Sequence, residues 1–181
     1  GYRYINIDDG YFGGRDEKGN LLTDNKKFPS GMKNLAAYIH SKGLKAGIYS
    51  DAGKNTCGSI WDNDKQGFGV GLYGHLNQDA DLFFKDWKYD FIKVDWCGAE
   101  QMKLNEQEEY TKIINKIKSI DPNIVFNVCR WQFPGEWAIK IADSWRVSGD
   151  ISAKFSSILH IIDLNKNLYS YASAGHYNDM D

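Results

Sequence analysis

Short apolar runs that end in a charged side chain recur along this chain of 181 residues. The clearest is the segment 91–97, FIKVDWC, which reads as a strand with a carboxylate at its carboxyl end. Lys93 stands two residues before Asp95, so both side chains leave the same face of an extended strand. This arrangement is typical of an active site in a parallel α/β protein, although a surface ion pair would have the same sequence.

The other apolar runs end in the same way. The charged groups at these ends are Asp8, Asp9, Asp51, Asp95, Arg130, Asp150, Asp179 and Asp181. Helical patterns lie between the runs, and an alternation of strand and helix predicts a parallel sheet. A (β/α)8 barrel brings all its strand carboxyl ends to one mouth, whereas a doubly wound sheet does so only near its switch point. No phosphate-binding glycine loop leads into a helix, so we predict an α/β fold of the TIM-barrel class.

Apolar periodicity and capping residues predict the helices. The expected helices start at Ser30 and stop before Gly43, then span about 77–88, about 104–120, 135–142 and roughly 152–163. The segment up to Asn25 and the glycine-rich stretch 52–75 are predicted as loops without regular elements. Long loops inside a domain are usually functional or mobile.

Composition excludes several classes of function. Lys and Arg total 22 against 24 Asp and Glu, and no basic block occurs, so we expect no nucleic-acid partner. No apolar run is long enough to cross a bilayer and no signal peptide is present, so we expect no membrane partner. Because both ends fall next to predicted strands, we expect an internal fragment, and a leader could have been lost with the missing amino terminus.

Three cysteines are present, Cys57, Cys97 and Cys129. They show no CxxC spacing, which argues against a zinc cluster. A disulfide between Cys57 and Cys97 is a reasonable hypothesis if the protein is exported. Cys129 ends an apolar run and is expected to be a buried free thiol.

Carboxylates, cations and aromatic rings at one mouth suit a carbohydrate, because glycosidic cleavage needs two carboxyl groups. A metal-dependent hydrolase is the competing interpretation, with Asp8, Asp9, Asp95 and His176 as possible ligands of a divalent ion. Lys93 and Arg146 place cations at the same mouth and argue against it. We expect no metal and no cofactor, and activity that survives a strong chelator would exclude the alternative.

Six segments together resemble glycoside hydrolase family 27, the family of α-galactosidases and α-N-acetylgalactosaminidases. They are 4–10 (YINIDDG), 27–33 (KFPSGMK), 41–51 (SKGLKAGIYSD), 93–97 (KVDWC), 144–151 (SWRVSGDI) and 175–181 (GHYNDMD). They occur in the family's order over the whole chain. The family fold is a TIM barrel followed by a β-sandwich. By this resemblance, residues 1–181 form a partial catalytic barrel domain with about the second to seventh strands.

The resemblance also implies roles for individual residues. Asp95 would be the nucleophile and Asp150 the acid/base. Asp8 and Asp9 would hold the sugar O4 and O6 hydroxyls, Lys93 would contact O3 and O4, and Arg146 the O2–O3 side. The further substrate-binding positions are Asp51, Arg130, Trp131 and Asp181. Cys57 and Cys97 fall where the family has a disulfide, which predicts a secreted or periplasmic protein.

These roles predict a retaining mechanism, with the two carboxyl groups about 5–5.5 Å apart. Lys93 would favour the charged form of Asp95. Arg146 would oppose protonation of Asp150, so we expect its guanidinium to face the sugar instead of Asp150.

The chain departs from the family pattern at three positions. Arg130 replaces the Glu of a Cys-Glu-Trp segment that senses the sugar's 2-position, Tyr11 replaces a Trp, and Met180 replaces a Pro. A terminal α-galactoside is the expected substrate. The alternatives are an α-N-acetylgalactosaminide, a β-L-arabinopyranoside and an isomalto-oligosaccharide. A non-catalytic carbohydrate-binding fragment is the alternative of a different class.

Overall fold

The computed structural model describes residues 1–181, which divide into two compact units, Gly1–Ile124 and Val125–Asp181. Both units contain parallel strands and helices. No helix in the structure has the length and apolar character needed to cross a membrane.

The first unit contains most of the regular elements. In chain order they are β1 (Tyr4–Asn6), β2 (Phe12–Arg15), β3 (Leu21–Thr23), α1 (Gly31–Ser41), β4 (Lys45–Asp51), α2 (Cys57–Trp61), a 3₁₀ turn (Lys65–Gly67), α3 (Leu76–Ala80) continued by a π-helical segment (Asp81–Asp86), β5 (Phe91–Asp95), α4 (Cys97–Gln101) and α5 (Glu106–Ile120). β4 lies between β1 and β5 and is parallel to both.

β4 is the central strand of this unit. All its residues after Lys45 are buried, as expected for a parallel strand that is covered on both faces. Gly47 is required there, because a side chain at this position would collide with Asn6 of β1 and Phe91 of β5. The register pairs Tyr49 with Lys93 and Asp51 with Asp95, so two carboxyl groups stand side by side at the carboxyl ends of neighbouring strands.

The two long helices follow the predicted periodicity. α1 buries Met32, Ala36 and Ile39, and Gly43 adopts a left-handed conformation (φ +73°) just beyond the helix end. Ser30 is at the N-cap, but its side chain makes no capping hydrogen bond. The N-cap of α5 is Asn105, whose side chain accepts a hydrogen bond from the Glu108 N–H (3.1 Å).

The two segments predicted as irregular loops contain regular elements, so that prediction was wrong. β2 and β3 form an antiparallel hairpin within residues 9–25, and Phe12 is fully buried. The stretch 52–75 holds α2 and the 3₁₀ turn, whose N-caps are Thr56 and Asp64. These elements are three to five residues long, too short for a periodic apolar pattern to reveal them. α4 escaped prediction for the same reason.

Arg15 ties the 65–75 region to the hairpin. Its guanidinium forms an ion pair with Asp79 (Nη2–Oδ2 2.5 Å), and both side chains are largely buried. The same guanidinium donates hydrogen bonds to the carbonyl oxygens of Gly69, Val70 and Gly71 at 2.8–3.1 Å. Long segments without extended secondary structure need such partners for their backbone carbonyl groups.

The second unit contains β6 (Val125–Val128), α6 (Glu136–Ile139), β7 (Ser144–Arg146), α7 (Phe155–Asn165), a 3₁₀ turn (Tyr169–Tyr171) and β8 (Tyr177–Asp179). β7 lies between β6 and β8 and is parallel to both. Trp145 is fully buried, and its indole N–H donates a hydrogen bond to the Asn178 side chain (2.8 Å). The predicted strands and helices of this unit are present, with ends shifted by a few residues.

We expect Arg15→Ala to lower the free energy of unfolding by about 3–5 kcal/mol, because it leaves the buried Asp79 carboxylate without its cation. Urea unfolding followed by circular dichroism measures the change. The matched control is Lys33→Ala, which removes an exposed ion pair with Asp86 and should cost less than about 1 kcal/mol. Equal losses in the two variants would contradict this account of the 65–75 region.

Candidate active site

The nucleophile candidate of the first unit is Asp95, the last residue of β5. This residue is 5% exposed, and its Oδ1 accepts a hydrogen bond from the Trp96 N–H (3.0 Å). The Trp96 indole in turn stacks on Tyr110, with the ring centroids 5.0 Å apart. The carboxylate is therefore held at the strand end by its own following turn, which is packed against α5.

Lys93 connects the end of β5 to Asp8, just beyond β1. Its ammonium lies 2.9 Å from Asp8 Oδ2 and 3.2 Å from Oδ1, and 5.3 Å from the centre of the Tyr49 ring. The Asp8 side chain is 63% exposed, so this ion pair is open to a ligand from solvent. Tyr49 was not among the predicted site residues, although its place two residues before Asp51 on β4 puts both side chains on the same face.

Asp9 is held by backbone donors. Its Oδ1 accepts a hydrogen bond from the Gly10 N–H (2.7 Å), and its Oδ2 accepts one from the Gly58 N–H in the first turn of α2 (2.8 Å). Each carboxylate oxygen has a second lone pair, so Asp9 retains acceptor capacity for a hydroxyl group. Asp8 and Asp9 are thus adjacent in sequence but have different partners, Lys93 and α2.

Asp51 differs from the other carboxyl groups because it is completely buried. Its oxygens accept hydrogen bonds from the N–H groups of Gly53 (2.7 Å) and Gly98 (3.1 Å). Burial raises the pKa of this carboxyl well above its ordinary value, which the backbone hydrogen bonds offset only in part, and the nearby Asp95 charge raises it further. Asp51 was predicted to bind substrate; the structure places it inside the protein.

A disulfide joins Cys57 to Cys97, as hypothesised, with the Cα atoms 5.1 Å apart. It links the first residue of α2 to the first residue of α4. The sulfur atoms lie close to the Asp51 carboxyl, but disulfide sulfurs are not thiolates, so this cluster is no metal-ligand set while the bond is intact. Cys129 is a buried free cysteine, as expected.

The second unit contains the acid/base candidate, Asp150. Its side chain is 80% exposed and its Oδ1 lies 3.1 Å from Nη2 of Arg146, the last residue of β7. The other terminal nitrogen of Arg146 lies 3.0 Å from Asp181 Oδ1, and the Arg146 side chain is 2% exposed. Burial by itself lowers the pKa of Arg146, but Cys129, Asp181 and Asp150 outweigh it and raise that pKa.

The expectation that Arg146 faces away from Asp150 was therefore wrong. The chain turns back after β7, so that Arg146 also donates a hydrogen bond to the Ser148 carbonyl (3.2 Å). A buried guanidinium requires anionic or carbonyl partners. Asp150, Asp181 and the Ser148 carbonyl provide them here. Asp181 additionally accepts a hydrogen bond from the Ile151 N–H (2.7 Å), which connects it to the residue directly after Asp150.

Two further predicted site residues lie on the loop after β6. The Arg130 guanidinium is 5.4 Å from the centre of the Trp131 ring, a cation–π distance. His176, considered as a metal ligand, has its Nδ1 2.9 Å from the Ala142 carbonyl oxygen, which is a structural contact within the second unit.

Comparison with known proteins gives the class first. The family model described as Alpha galactosidase A (Melibiase_2) matches residues 1–181. Alpha-galactosidase A of Cellvibrio japonicus is 41% identical over 194 aligned residues, covering 100% of this chain and 45% of the relative. The chain thus spans less than half the length of that curated relative.

Solved structures give the fold. Alpha-galactosidase I of Mortierella vinacea has a TM-score of 0.86 at 30% identity, covering 100% of this chain and 50% of the solved chain. The alpha-galactosidase of Saccharomyces cerevisiae, solved with raffinose, has a TM-score of 0.84 at 27% identity, covering 100% and 44%. The predicted fold class, part of a (β/α)8 TIM barrel, is confirmed. The chain belongs to the alpha-galactosidase family, glycoside hydrolase family 27.

The raised pKa of Asp51 predicts a specific pH dependence. Between the ordinary aspartate pKa, about 3.9, and the higher native value, the folded state binds more protons than the unfolded state. The stability of the wild type relative to Asp51→Asn should therefore fall as pH rises through this window and level off above it. Urea unfolding at a series of pH values measures the difference.

Asp24 provides a control of opposite sign. Hydrogen bonds from the Lys26 and Lys27 N–H groups lower the pKa of this exposed carboxyl. The stability of the wild type relative to Asp24→Asn should therefore decrease as pH falls below about 4. A wild-type advantage over Asp51→Asn that grows with rising pH would contradict the assignment for Asp51.

Proposed function

We propose that the protein containing this chain is a retaining glycoside hydrolase that removes terminal α-linked galactose from oligosaccharides, polysaccharides or glycoconjugates. The observation that carries the proposal is the position of Asp95: a nearly buried carboxyl group at the end of β5, in the KVDWC segment, beside the open Asp8–Lys93 ion pair. Membership of family 27 supports it, and residues 1–181 would be part of the catalytic barrel domain.

The reaction would proceed in two displacements. The Asp95 carboxylate attacks the anomeric carbon, while Asp150 donates a proton to the departing glycosidic oxygen. A covalent β-glycosyl-enzyme results. Asp150 then takes a proton from a water molecule, which attacks the anomeric carbon and releases the sugar and the free Asp95 carboxylate. The step involves no redox change and needs no metal or cofactor.

Arg146 is the charged partner of Asp150 in this scheme. Nη2 of Arg146 lies 3.1 Å from Asp150 Oδ1 and holds this carboxyl group in an ion pair. We propose that Arg146 turns toward the sugar when substrate binds. Asp181, which already shares the guanidinium, would keep one of its terminal nitrogens paired during that movement.

Recognition of the sugar would use the remaining polar groups. The carboxylates of Asp8 and Asp9 would accept hydrogen bonds from the sugar hydroxyls, and the Lys93 ammonium would donate to them. All three groups are held in place by partners but remain able to form further hydrogen bonds. Arg130 and Trp131 would contact the 2-position. The disulfide and this substrate class favour an exported protein, secreted or periplasmic.

Asp95→Ala should reduce kcat/KM on a nitrophenyl α-galactoside by roughly 10⁴-fold or more, because no covalent intermediate can form. Asp150→Ala should reduce turnover of raffinose by about 10²–10⁴-fold but affect the first step of the nitrophenyl substrate less, since nitrophenolate leaves without a proton. Azide should restore activity to Asp150→Ala and yield a glycosyl azide. Initial rates and product analysis by mass spectrometry measure these effects.

The matched control is Asp86→Ala, which removes an exposed carboxylate from an ion pair with Lys33 and should leave kcat/KM unchanged. Sugar binding by a wild-type protein that turns over no glycoside would instead support the non-catalytic carbohydrate-binding alternative. Full activity of Asp95→Ala would disprove the assigned nucleophile.

Substrate preference tests the role of Arg130. Among nitrophenyl glycosides the α-galactoside should have the highest kcat/KM, ahead of the α-N-acetylgalactosaminide and the β-L-arabinopyranoside, with isomaltose hydrolysis measured separately. Arg130→Glu replaces a cation by an acceptor and should change the ratio between sugars that differ at the 2-position by about tenfold. The ratio between galactoside and arabinopyranoside, which differ only in the hydroxymethyl group, should stay constant. Arg130→Glu with both ratios unchanged would remove this residue from the specificity site.

A further inference from the structure

Asp51 is a buried ionisable group that the proposed reaction does not use. Asp51 is 0% exposed. The Asp8 side chain, in contrast, is 63% exposed and forms an ion pair with Lys93. Burial of a carboxyl group costs free energy unless hydrogen bonds compensate it. The position of those hydrogen bonds indicates what the residue does.

The hydrogen-bond donors to Asp51 come from two separate segments of the chain. The Gly53 N–H belongs to the loop directly after β4, and the Gly98 N–H belongs to the first turn of α4, directly after the Asp95-Trp96 pair. Gly98 donates to both carboxyl oxygens, each at 3.1 Å. One side chain therefore holds the start of both loops that leave the strand ends.

These loops are in backbone contact, which explains the glycines at both positions. A Cβ atom on Gly53 would collide with the backbone of Gly98 and Ala99, and one on Gly98 would collide with the backbone of Asn55. The Cys57–Cys97 disulfide joins the first residues of α2 and α4, and its sulfur atoms lie close to the Asp51 carboxyl group. This carboxyl group is thus buried beside two main-chain segments that pack closely against each other.

The main chain around Asp95 is fixed by the same junction. The Ala52 N–H donates a hydrogen bond to the Asp95 carbonyl oxygen (2.9 Å), and the Trp96 N–H donates to the Asp95 carboxyl. The turn after β5 is therefore held at two points. Ala52, the residue after Asp51, binds the turn at Asp95, and Asp51 itself binds it at Gly98. A shift of the turn would rotate the Asp95 side chain.

We propose that Asp51 is a positioning residue, whose buried carboxyl group fixes the turn after β5 and thereby orients the Asp95 carboxylate, and that it does not bind the sugar. The inference rests on the proposed role of Asp95 as the nucleophile. Misplacement of a reacting group by about 1 Å can cost on the order of 10²-fold in rate, so a residue without substrate contact can control turnover.

The test compares Asp51→Asn with Asp8→Asn in the full-length gene product. Asp51→Asn keeps one acceptor oxygen but presents an NH₂ group to the Gly98 N–H, so kcat should fall by about 10–100-fold while KM stays within about twofold. Asp8→Asn should instead raise KM, as expected for a sugar ligand. Asp86→Asn is the matched exposed control and should change neither constant. A raised KM with unchanged kcat in Asp51→Asn, or no change in either, would overturn the proposal.

Hydrogen exchange gives a readout that does not depend on activity. Amide exchange of a peptide covering residues 96–101 should be faster in Asp51→Asn than in the wild type, while a peptide covering 31–41 of α1 should exchange equally in both. If Asp51→Asn does not fold, the wild-type Gly98 amide provides the test: fast exchange, comparable to an exposed turn amide, would overturn the proposal. A wild type without glycosidase activity but with the expected exchange pattern would disprove the proposed function and leave the anchoring of the turn intact.

Discussion

The parallel pairing of β4 with β5 is the interaction on which the candidate site depends. It sets Asp51 opposite Asp95 and Tyr49 opposite Lys93, so that the ends of both strands lie at one level. From there the Ala52 N–H reaches the Asp95 carbonyl oxygen, and the Asp51 carboxyl reaches the Gly98 N–H. A shift of one of these strands by one residue would move its side chains to the opposite face and break this alignment.

The carboxyl groups of the chain occupy different electrostatic environments although they share the same chemistry. Asp8 has a cation and solvent, Asp150 shares a buried guanidinium with Asp181, and Asp51 has backbone N–H groups and no solvent. Such differences decide which carboxyl can act as a ligand, an acid/base or a structural anchor. Because all these residues are aspartates, the differences between their environments come from the loops that follow each strand and surround each carboxyl group.

The extent of prediction varied with the length of the element. α1 and α5, with 11 and 15 residues, were recognised because several apolar residues recur on one face. The β2–β3 hairpin, α2 and α4 were missed, because elements of three to five residues contain fewer than two periods of a helical or strand pattern, or only two, which is too few for a recurring apolar face to stand out. Their stability comes from tertiary partners such as the Arg15–Asp79 pair and the Cys57–Cys97 bond.

The sequence by itself determined the alternation of strands and helices, the acidic ends of the strands and the family. These features depend on residue type and order along the chain, which are local properties. Only the tertiary structure decided that Asp51 is buried under the turn of Gly98 and that Arg146 is paired with Asp150. The reason is physical: burial and ion pairing depend on distances between side chains that are remote in sequence, or on how a short turn folds back, and neither is encoded in a pattern of residue types.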